Sequence, residues 1–451
     1  MCRADNALGG VHLNPIFTAK FGGTSLADAA QFRRVADIIR ADARRRLVVV
    51  SAPGKRYPDD DKITDLLISC QKEQDKAQFE GIFGRVSARF IGIRDELGLG
   101  FDIEAELEKI KSDILSGEGY DYAASRGEYL NALLLANFLG AQFIDASELI
   151  FFNAEGKLNT KKTYQTIKAR LTGCDLAVVP GFYGKGPNGR IKTFPRGGSD
   201  ITGSVIARGA EAVLYENWTD VSGIMMADPR IIPEARIINV LTYRELRELS
   251  YMGANVLHED AVFPVRELDI PINIRNTNAP EHLGTIITSS TAEPSPYTIT
   301  GLAGRKNYTV LLVDKAMMNN EIGFARKLLG ILEKHRISVE HMPTGIDTIS
   351  VVFDAQALGE EQWHEILAEI HAELSPDSIN VIEDIALIAV VGRDMQNRYG
   401  TSGRIMTELG HAGINISLLN QPVSEMTIIV GVHNEELQKT IRVIYDVFAK
   451  S

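Results

Sequence analysis

Residues 18–28 read TAKFGGTSLAD, with Lys20 directly ahead of Phe21, a pair of glycines (Gly22, Gly23) and two hydroxyls (Thr24, Ser25). Glycines that follow a strand let the backbone turn sharply and aim N–H groups at an anion, while a lysine adds a mobile point charge. Phosphate suits such a turn. The stretch is neither a Walker A loop nor a dinucleotide fingerprint, because the required Gly and Lys-Ser/Thr spacings are missing. A plain tight turn would use the same residues, so the stretch needs its surroundings.

Outward from it, short apolar runs alternate with amphipathic stretches as far as residue 290. RRLVVVSAP, AQFIDA, CDLAVVPGFYG, AEAVLYENWTD and IPINIRNT read as buried strands of a mostly parallel sheet. Helices are expected over 29–43, 125–139, 199–209 and 242–255. This alternation predicts an α/β sandwich. Residues 71–118 are rich in Lys and Glu, helical in period and without an obvious strand, and read as a helical insertion.

The alternation stops at HLGTIITSSTAEPSPYTITGLAG, the best linker candidate. Beyond it the chain repeats itself. An offset of 77 residues aligns VLLV at 310 with LIAV at 387, Gly323 with Gly400, Leu332 with Leu409, Ile337 with Ile414, and ISVVF at 349 with MTIIV at 426. Each copy reads strand, helix, strand, strand, helix. The first copy closes with a strand in SINVIED, whereas the second runs out of chain, and YTITGLAG at 297–304 is the natural donor of its missing strand. The two small domains are therefore expected to interlock, one over 307–382 and the other over 297–304 plus 384–451. The α/β region is expected over 16–290, after a leader of residues 1–15.

Composition narrows the partners. The chain of 451 residues carries 48 Lys and Arg against 59 Asp and Glu, a net charge of −11. Such a balance opposes a nucleic-acid or anionic-membrane surface, which needs a basic excess. Arg44, Arg45 and Arg46 are the only tight basic run, and they precede a strand. Cys2, Cys70 and Cys174 are too scattered for a disulfide framework or metal site. No apolar run approaches a membrane span and the first residues lack the apolar middle of a signal peptide, so the expected place is the cytoplasm.

Two further constellations carry chemistry. PRGGSD at 195–200 sets Arg196, Gly197, Gly198, Ser199 and Asp200 at a helix start. An arginine fork suits a carboxylate, glycine N–H groups suit phosphate, and Asp200 can orient a lysine or a hydrated metal. SRGEYLNA at 125–132 opens another helix, where Glu128 serves either as a cap or as a grip on an ammonium group.

KFGGTSLAD, VVVSAPGK, KITDLL, SRGE, RGGSD, WTDVSGIMMADPR and INIRNT, in this order, resemble the aspartokinases of the amino-acid kinase superfamily, and the tandem tail resembles paired ACT domains. The resemblance covers nearly the whole chain. It implies an amino-acid kinase sandwich followed by two interlocked ferredoxin-like ACT domains, with ATP and Mg²⁺, L-aspartate and an allosteric amino acid as ligands. It also implies a homodimer or a dimer of dimers. Lys20 would stabilise the transferring phosphoryl group, with Asp200 organising it and Gly22, Gly23, Thr24, Ser25, Gly197 and Gly198 around the phosphates. Ser51, Thr64, Glu128, Arg196 and Ser199 would hold aspartate, Glu128 at its ammonium and Arg196 at its α-carboxylate. Thr219, Asp220 and Arg230 would form the nucleotide loop, with no protein metal site.

Two positions depart from the family pattern. Met225 stands where an aromatic residue is usual, and Asn255 replaces a lysine ahead of Val256-Leu257-His258, with Lys185 or Arg190 as candidate substitutes. In the tail, Gly323 opens a helix whose N–H groups suit a ligand carboxylate, and Glu340 and Asp347 can meet cationic groups. The second copy has Ser417 and Ser424 there. With Met318 and Phe324, the first copy is the expected effector site, and L-lysine the expected effector. Another amino-acid kinase, or a non-catalytic amino-acid sensor, remains the alternative.

Overall fold

Five buried residues in succession, Phe17–Phe21, form β1, a pattern that requires cover on both faces of a sheet. The computed structural model describes residues 15–195, 197–254, 257, 259–291, 297–354, 359–423 and 426–449. After β1 come β2 (Arg45–Val50), β3 (Gln142–Phe143), β4 (Ala177–Pro180), β5 (Tyr183–Lys185), β6 (Ile191–Thr193), β7 (Leu214–Thr219), β8 (Val240–Thr242), β9 (Ile272–Asn276) and β10 (Thr285–Thr288). Eight of them form one sheet in the order β3-β4-β2-β1-β7-β9-β10-β8, in which only the β9–β10 pair is antiparallel. β5 and β6 make a separate hairpin.

The helices follow the expected segments. Ala29–Arg40 buries Phe32, Val35, Ala36 and Ile39 along one stripe, and the Asp28 side chain caps it by accepting from the Gln31 N–H at 2.9 Å. The insertion folds as two helices, Lys76–Leu97 and Ile103–Leu115, capped by Asp75 and Asp102. Its apolar residues Phe79, Phe83, Phe90, Ile103 and Ile110 join Ala19, Phe21 and Phe32 in one core, so it packs as part of the domain.

The described residues divide into two compact units. One lies within Met1–Ile224, Ile237–Tyr243 and Val256–Thr291, the other within Met225–Arg236, Arg244–Asn255 and Ala292–Ser451. One boundary falls within the linker, between Thr291 and Ala292, and two earlier pieces also belong to the second unit. Hydrogen bonds explain why two earlier pieces group with the tail. The Leu302 N–H donates to the Met226 carbonyl, the Arg236 N–H donates to Tyr445 Oη at 3.1 Å, and the fully buried Glu245 accepts from Thr300 and Arg393.

The second unit contains β11 (Gly301–Asp314), β12 (Thr348–Asp354), β13 (Ser378–Val391), β14 (Leu418–Asn420) and β15 (Thr427–His433). They form one antiparallel sheet, β12-β11-β13-β15-β14. Gly301–Arg305 pair with Leu387–Val391, while Val310–Asp314 pair with Ser378–Ile382, so β11 and β13 each serve both copies. Both strands bend between the copies, at Asn307 (φ 70°) and Asp384 (φ 59°). The Asn434 amide donates to the side-chain oxygens of both residues, at 3.0 and 3.3 Å. One expected strand is reduced: in the first copy the segment after helix Phe324–Lys334 makes only isolated bridges, at His341 and Thr344.

Candidate active site

Parallel sheets bind ligands outside the carboxyl ends of their strands. Register places Lys20 of β1 beside Asn217 of β7, close to those ends. Lys20 Nζ lies 2.5 Å from Asp200 Oδ1, and Asn217 Nδ2 donates to the same oxygen at 2.9 Å. Asp200 stands in the first turn of helix Gly198–Gly209, whose N-cap Gly197 takes a left-handed φ of 81°. Only glycine enters that region freely. Gly198 is required for space, because a Cβ there would come within 2.5 Å of the Phe182 ring. The Phe182 N–H donates to Thr202 Oγ1 at 3.0 Å, and Thr202 donates to the Gly198 carbonyl, which locks this helix start against the end of β4.

The glycine pair after β1 divides its work. The Gly22 N–H donates to the Trp218 carbonyl at 2.9 Å, so it holds the turn to β7 and is not a phosphate donor as expected. Gly23 meets Gly54, the loop residue beyond β2: the Gly54 N–H donates to the Gly23 carbonyl at 2.8 Å, and a Cβ on Gly54 would stand 2.6 Å from Gly23 C and Thr24 N. The Ser25 hydroxyl is likewise committed, buried against Thr277 Oγ1 at 2.7 Å, which corrects its expected phosphate role. Thr24 is exposed, and Thr64 is half-buried in the first turn of helix Ile63–Lys72.

Helix Tyr120–Leu139 brings Glu128 and Asn131 to the same region. The Ser51 carbonyl accepts from Asn131 Nδ2 at 2.7 Å, and the Ala52 N–H donates to the Glu128 carboxyl. Glu128 is buried and its Oε2 has no hydrogen-bond partner among the described residues. Burial pushes its pKa up to about 8, against the smaller effects of the Ala52 bond and of the Arg126 charge. Ser199 belongs to the same cluster, since a Cβ on Gly181 would come within 2.7 Å of its Oγ. Asn131 and Asn217 were not expected from sequence. Their signals are positional: Asn131 lies three residues beyond Glu128 on one helix, and Asn217 lies opposite Lys20 in a parallel pair.

In the first unit Thr219 ends β7 and Asp220 follows it, with Thr219 Oγ1 3.3 Å from Asp220 Oδ1. Arg230 and Met225 belong to the second unit, where Arg230 is exposed and paired with Asp228 at 2.7 Å. Lys185 and Arg190 sit on and beside the β5–β6 hairpin, and Arg190 lines a cavity of about 500 Å³ with Tyr120, Phe152 and Lys192. Arg196, Asn255, His258 and Ser424 fall outside the described residues.

The residues expected to bind an effector all lie in the second unit. Met318 and Phe324 are buried, and Gly323 (φ 85°) starts helix Phe324–Lys334. Asp347 Oδ1 accepts the Met317 N–H at 2.8 Å, and Glu340 accepts a hydrogen bond from the Tyr251 hydroxyl. Each acid thus carries one neutral hydrogen-bond donor from within the unit.

Known proteins resemble the chain over nearly its whole length. The amino acid kinase family model matches residues 16–276 and an ACT domain model matches residues 388–448. Aspartokinase 3 of Bacillus subtilis is 36% identical, over 95% of this chain and 98% of its own length. The crystal structure of Clostridium acetobutylicum aspartate kinase superposes with a TM-score of 0.88 at 47% identity, covering 97% of this chain and all of that one. Escherichia coli aspartokinase III, 26% identical, has been solved with aspartate and ADP (TM-score 0.75) and with lysine and aspartate (TM-score 0.73). Each of these structures covers 96% of this chain and 99% of its own. The chain belongs to the amino acid kinase family, among the aspartokinases with ACT domains.

Proposed function

We propose that the protein transfers the γ-phosphoryl group of ATP to the side-chain carboxylate of L-aspartate, giving 4-phospho-L-aspartate. The observation that carries this reading is the pairing of Lys20 with Asp200 at the strand ends, beside a buried Glu128 carboxyl with one unpartnered oxygen. Phosphoryl transfer asks for positioning and charge neutralisation, and a carboxylate nucleophile needs no base. Lys20 meets the charge that builds on the transferring group, held in place by Asp200 and Asn217. Glu128 takes the substrate ammonium, and Arg196 its α-carboxylate. The E. coli relative solved with aspartate and ADP supports this choice of substrates.

A magnesium ion accompanying the nucleotide would neutralise phosphate charge. Its ligands would be largely water and phosphate oxygens, as Mg²⁺ dehydrates reluctantly. The deciding experiment measures acyl-phosphate formation with hydroxylamine, using aspartate and glutamate in parallel. Turnover of aspartate with ATP supports the reading; turnover of glutamate alone, or of neither, rejects it.

The reaction would be the first step toward lysine, threonine and methionine, with lysine acting through the ACT unit. Support comes from the relative solved with lysine and from the retained Gly323 helix start. We also propose a homodimer joined through these units. Ile322 and Tyr399, at equivalent places in the two copies, are fully exposed, and the equivalent Ile346 and Val423 are also exposed. Apolar side chains repeated in this way suit a symmetric contact.

A further inference from the structure

The insertion helix Lys76–Leu97 carries Arg89, whose guanidinium is buried although no expected site residue lies on that helix. It reaches three stretches of chain. Arg89 Nη1 donates to the Gly54 carbonyl at 3.1 Å and to the Ala27 carbonyl at 3.4 Å, and Nη2 pairs with Asp60 Oδ2 at 2.6 Å. Asp60 is also buried. It accepts the Arg56 N–H and pairs with the Arg56 guanidinium at 2.8 Å, and these bonds hold its carboxyl far below the usual carboxylate range.

Burying such charges costs several kcal/mol per ion, of the order of what their attraction returns, so stability alone is a poor reason for this arrangement. Its geometry has a more specific consequence. Gly54 is held at both ends of its backbone, by its N–H on the Gly23 carbonyl and by its carbonyl on Arg89. Ala27 immediately follows the 3₁₀ turn Gly23–Leu26. One guanidinium thus fixes the spacing between the turn after β1 and the loop after β2, the two backbones that meet beside Lys20.

We propose that Arg89 is a positioning residue for phosphoryl transfer, which gives the helical insertion a part in the catalytic geometry. The proposal rests on the reading of the site as a kinase. Three variants test it: Arg89→Met, Arg89→Lys and Asp60→Asn. Removing the guanidinium frees both carbonyls, and since displacement by about 1 Å can cost up to about 100-fold, Arg89→Met should lower kcat at least about tenfold. The aspartate KM should move less than about twofold, because the lost interaction serves the transition state. Asp60→Asn removes the ionic partner but leaves the guanidinium on the two carbonyls. It should lower Tm as Arg89→Met does while keeping kcat within about threefold of wild type.

Arg89→Lys keeps the charge near Asp60 but lacks the fork that spans three acceptors. It should fold with a Tm near that of wild type, lose kcat, and show faster amide exchange over residues 23–27. Equal kcat losses in Arg89→Met and Asp60→Asn, or unchanged kcat and exchange in Arg89→Lys, would overturn the proposal. Absence of aspartate turnover in wild type would instead overturn the kinase reading, and exchange over residues 23–27 would still decide whether Arg89 holds the turn.

Discussion

Lys20 Nζ stands 2.5 Å from Asp200 Oδ1, the same oxygen that receives the Asn217 amide. The lysine is therefore held by a carboxylate at a helix start, and that carboxylate is itself braced by an amide on the adjacent strand.

That arrangement predicts the effect of removing the charge. Lys20→Ala should lower kcat by roughly 10²–10³-fold, the usual loss when a preorganised donor to developing charge is deleted. The aspartate KM should change little. Initial rates over an aspartate series at saturating ATP check this, and near-normal kcat would remove Lys20 from the phosphoryl-transfer step.

Glu128 makes the site sensitive to pH. With its pKa at about 8 in the free protein it is mostly protonated at neutral pH, whereas an ammonium partner favours the carboxylate. Aspartate binding at pH 7 should therefore release close to one proton per site, and affinity should rise with pH up to about 8. Calorimetry in buffers of different ionisation enthalpy measures this, and Glu128→Gln should abolish the release.

The same group bears on stability with a definite sign. Its folded pKa lies above the ordinary glutamate value of 4.5, so folding takes up protons between the two values. Its contribution is fully present below about 4.5 and is lost as pH rises through about 8. Glu128→Gln should flatten that part of the pH profile of Tm.

Gly54→Ala tests the backbone contact. The new Cβ would stand 2.6 Å from Gly23 C, and backbone cannot yield as a flexible side chain does. Overpacking of this kind costs about 1–3 kcal/mol, so thermal unfolding should show a drop of several degrees together with reduced kcat. An unchanged Tm would mean that the two backbones separate freely.

Lysine inhibition and assembly can be probed together. Asp347→Ala removes the acceptor for the Met317 N–H, and Ile322→Glu places charge on the exposed apolar face. Asp347→Ala should raise the lysine concentration needed for inhibition at unchanged uninhibited kcat, because an effector acts only through differential affinity. Ile322→Glu should shift sedimentation toward the monomer. A wild-type enzyme indifferent to lysine would reject the regulatory proposal.

Sequence made the strands legible because buried parallel strands read as unbroken apolar runs, as in LVVV and AVV. The interlocked strand was legible too, since a repeat with one strand missing demands a donor. The polar partners were less so. Ser25 looks like a phosphate ligand until Thr277, 252 positions away, is seen to hold its hydroxyl. Gly22 looks like a donor until the register with β7 assigns its N–H to Trp218. Glu340 looks free until Tyr251 is brought to it. In each case a long-range contact decides, and local pattern carries no trace of it.

The bend where β11 and β13 pass from one ACT copy to the other, pinned by Asn434, makes the first copy an insertion within the second. During synthesis the donor strand Gly301–Arg305 emerges long before Leu387–Val391, so it must wait unpaired while the whole first copy is made. The first copy can close on its own; the second can close only around it. A cut between the copies would leave the distal fragment without an edge strand, so the tail should be inherited, exchanged and inactivated as one piece.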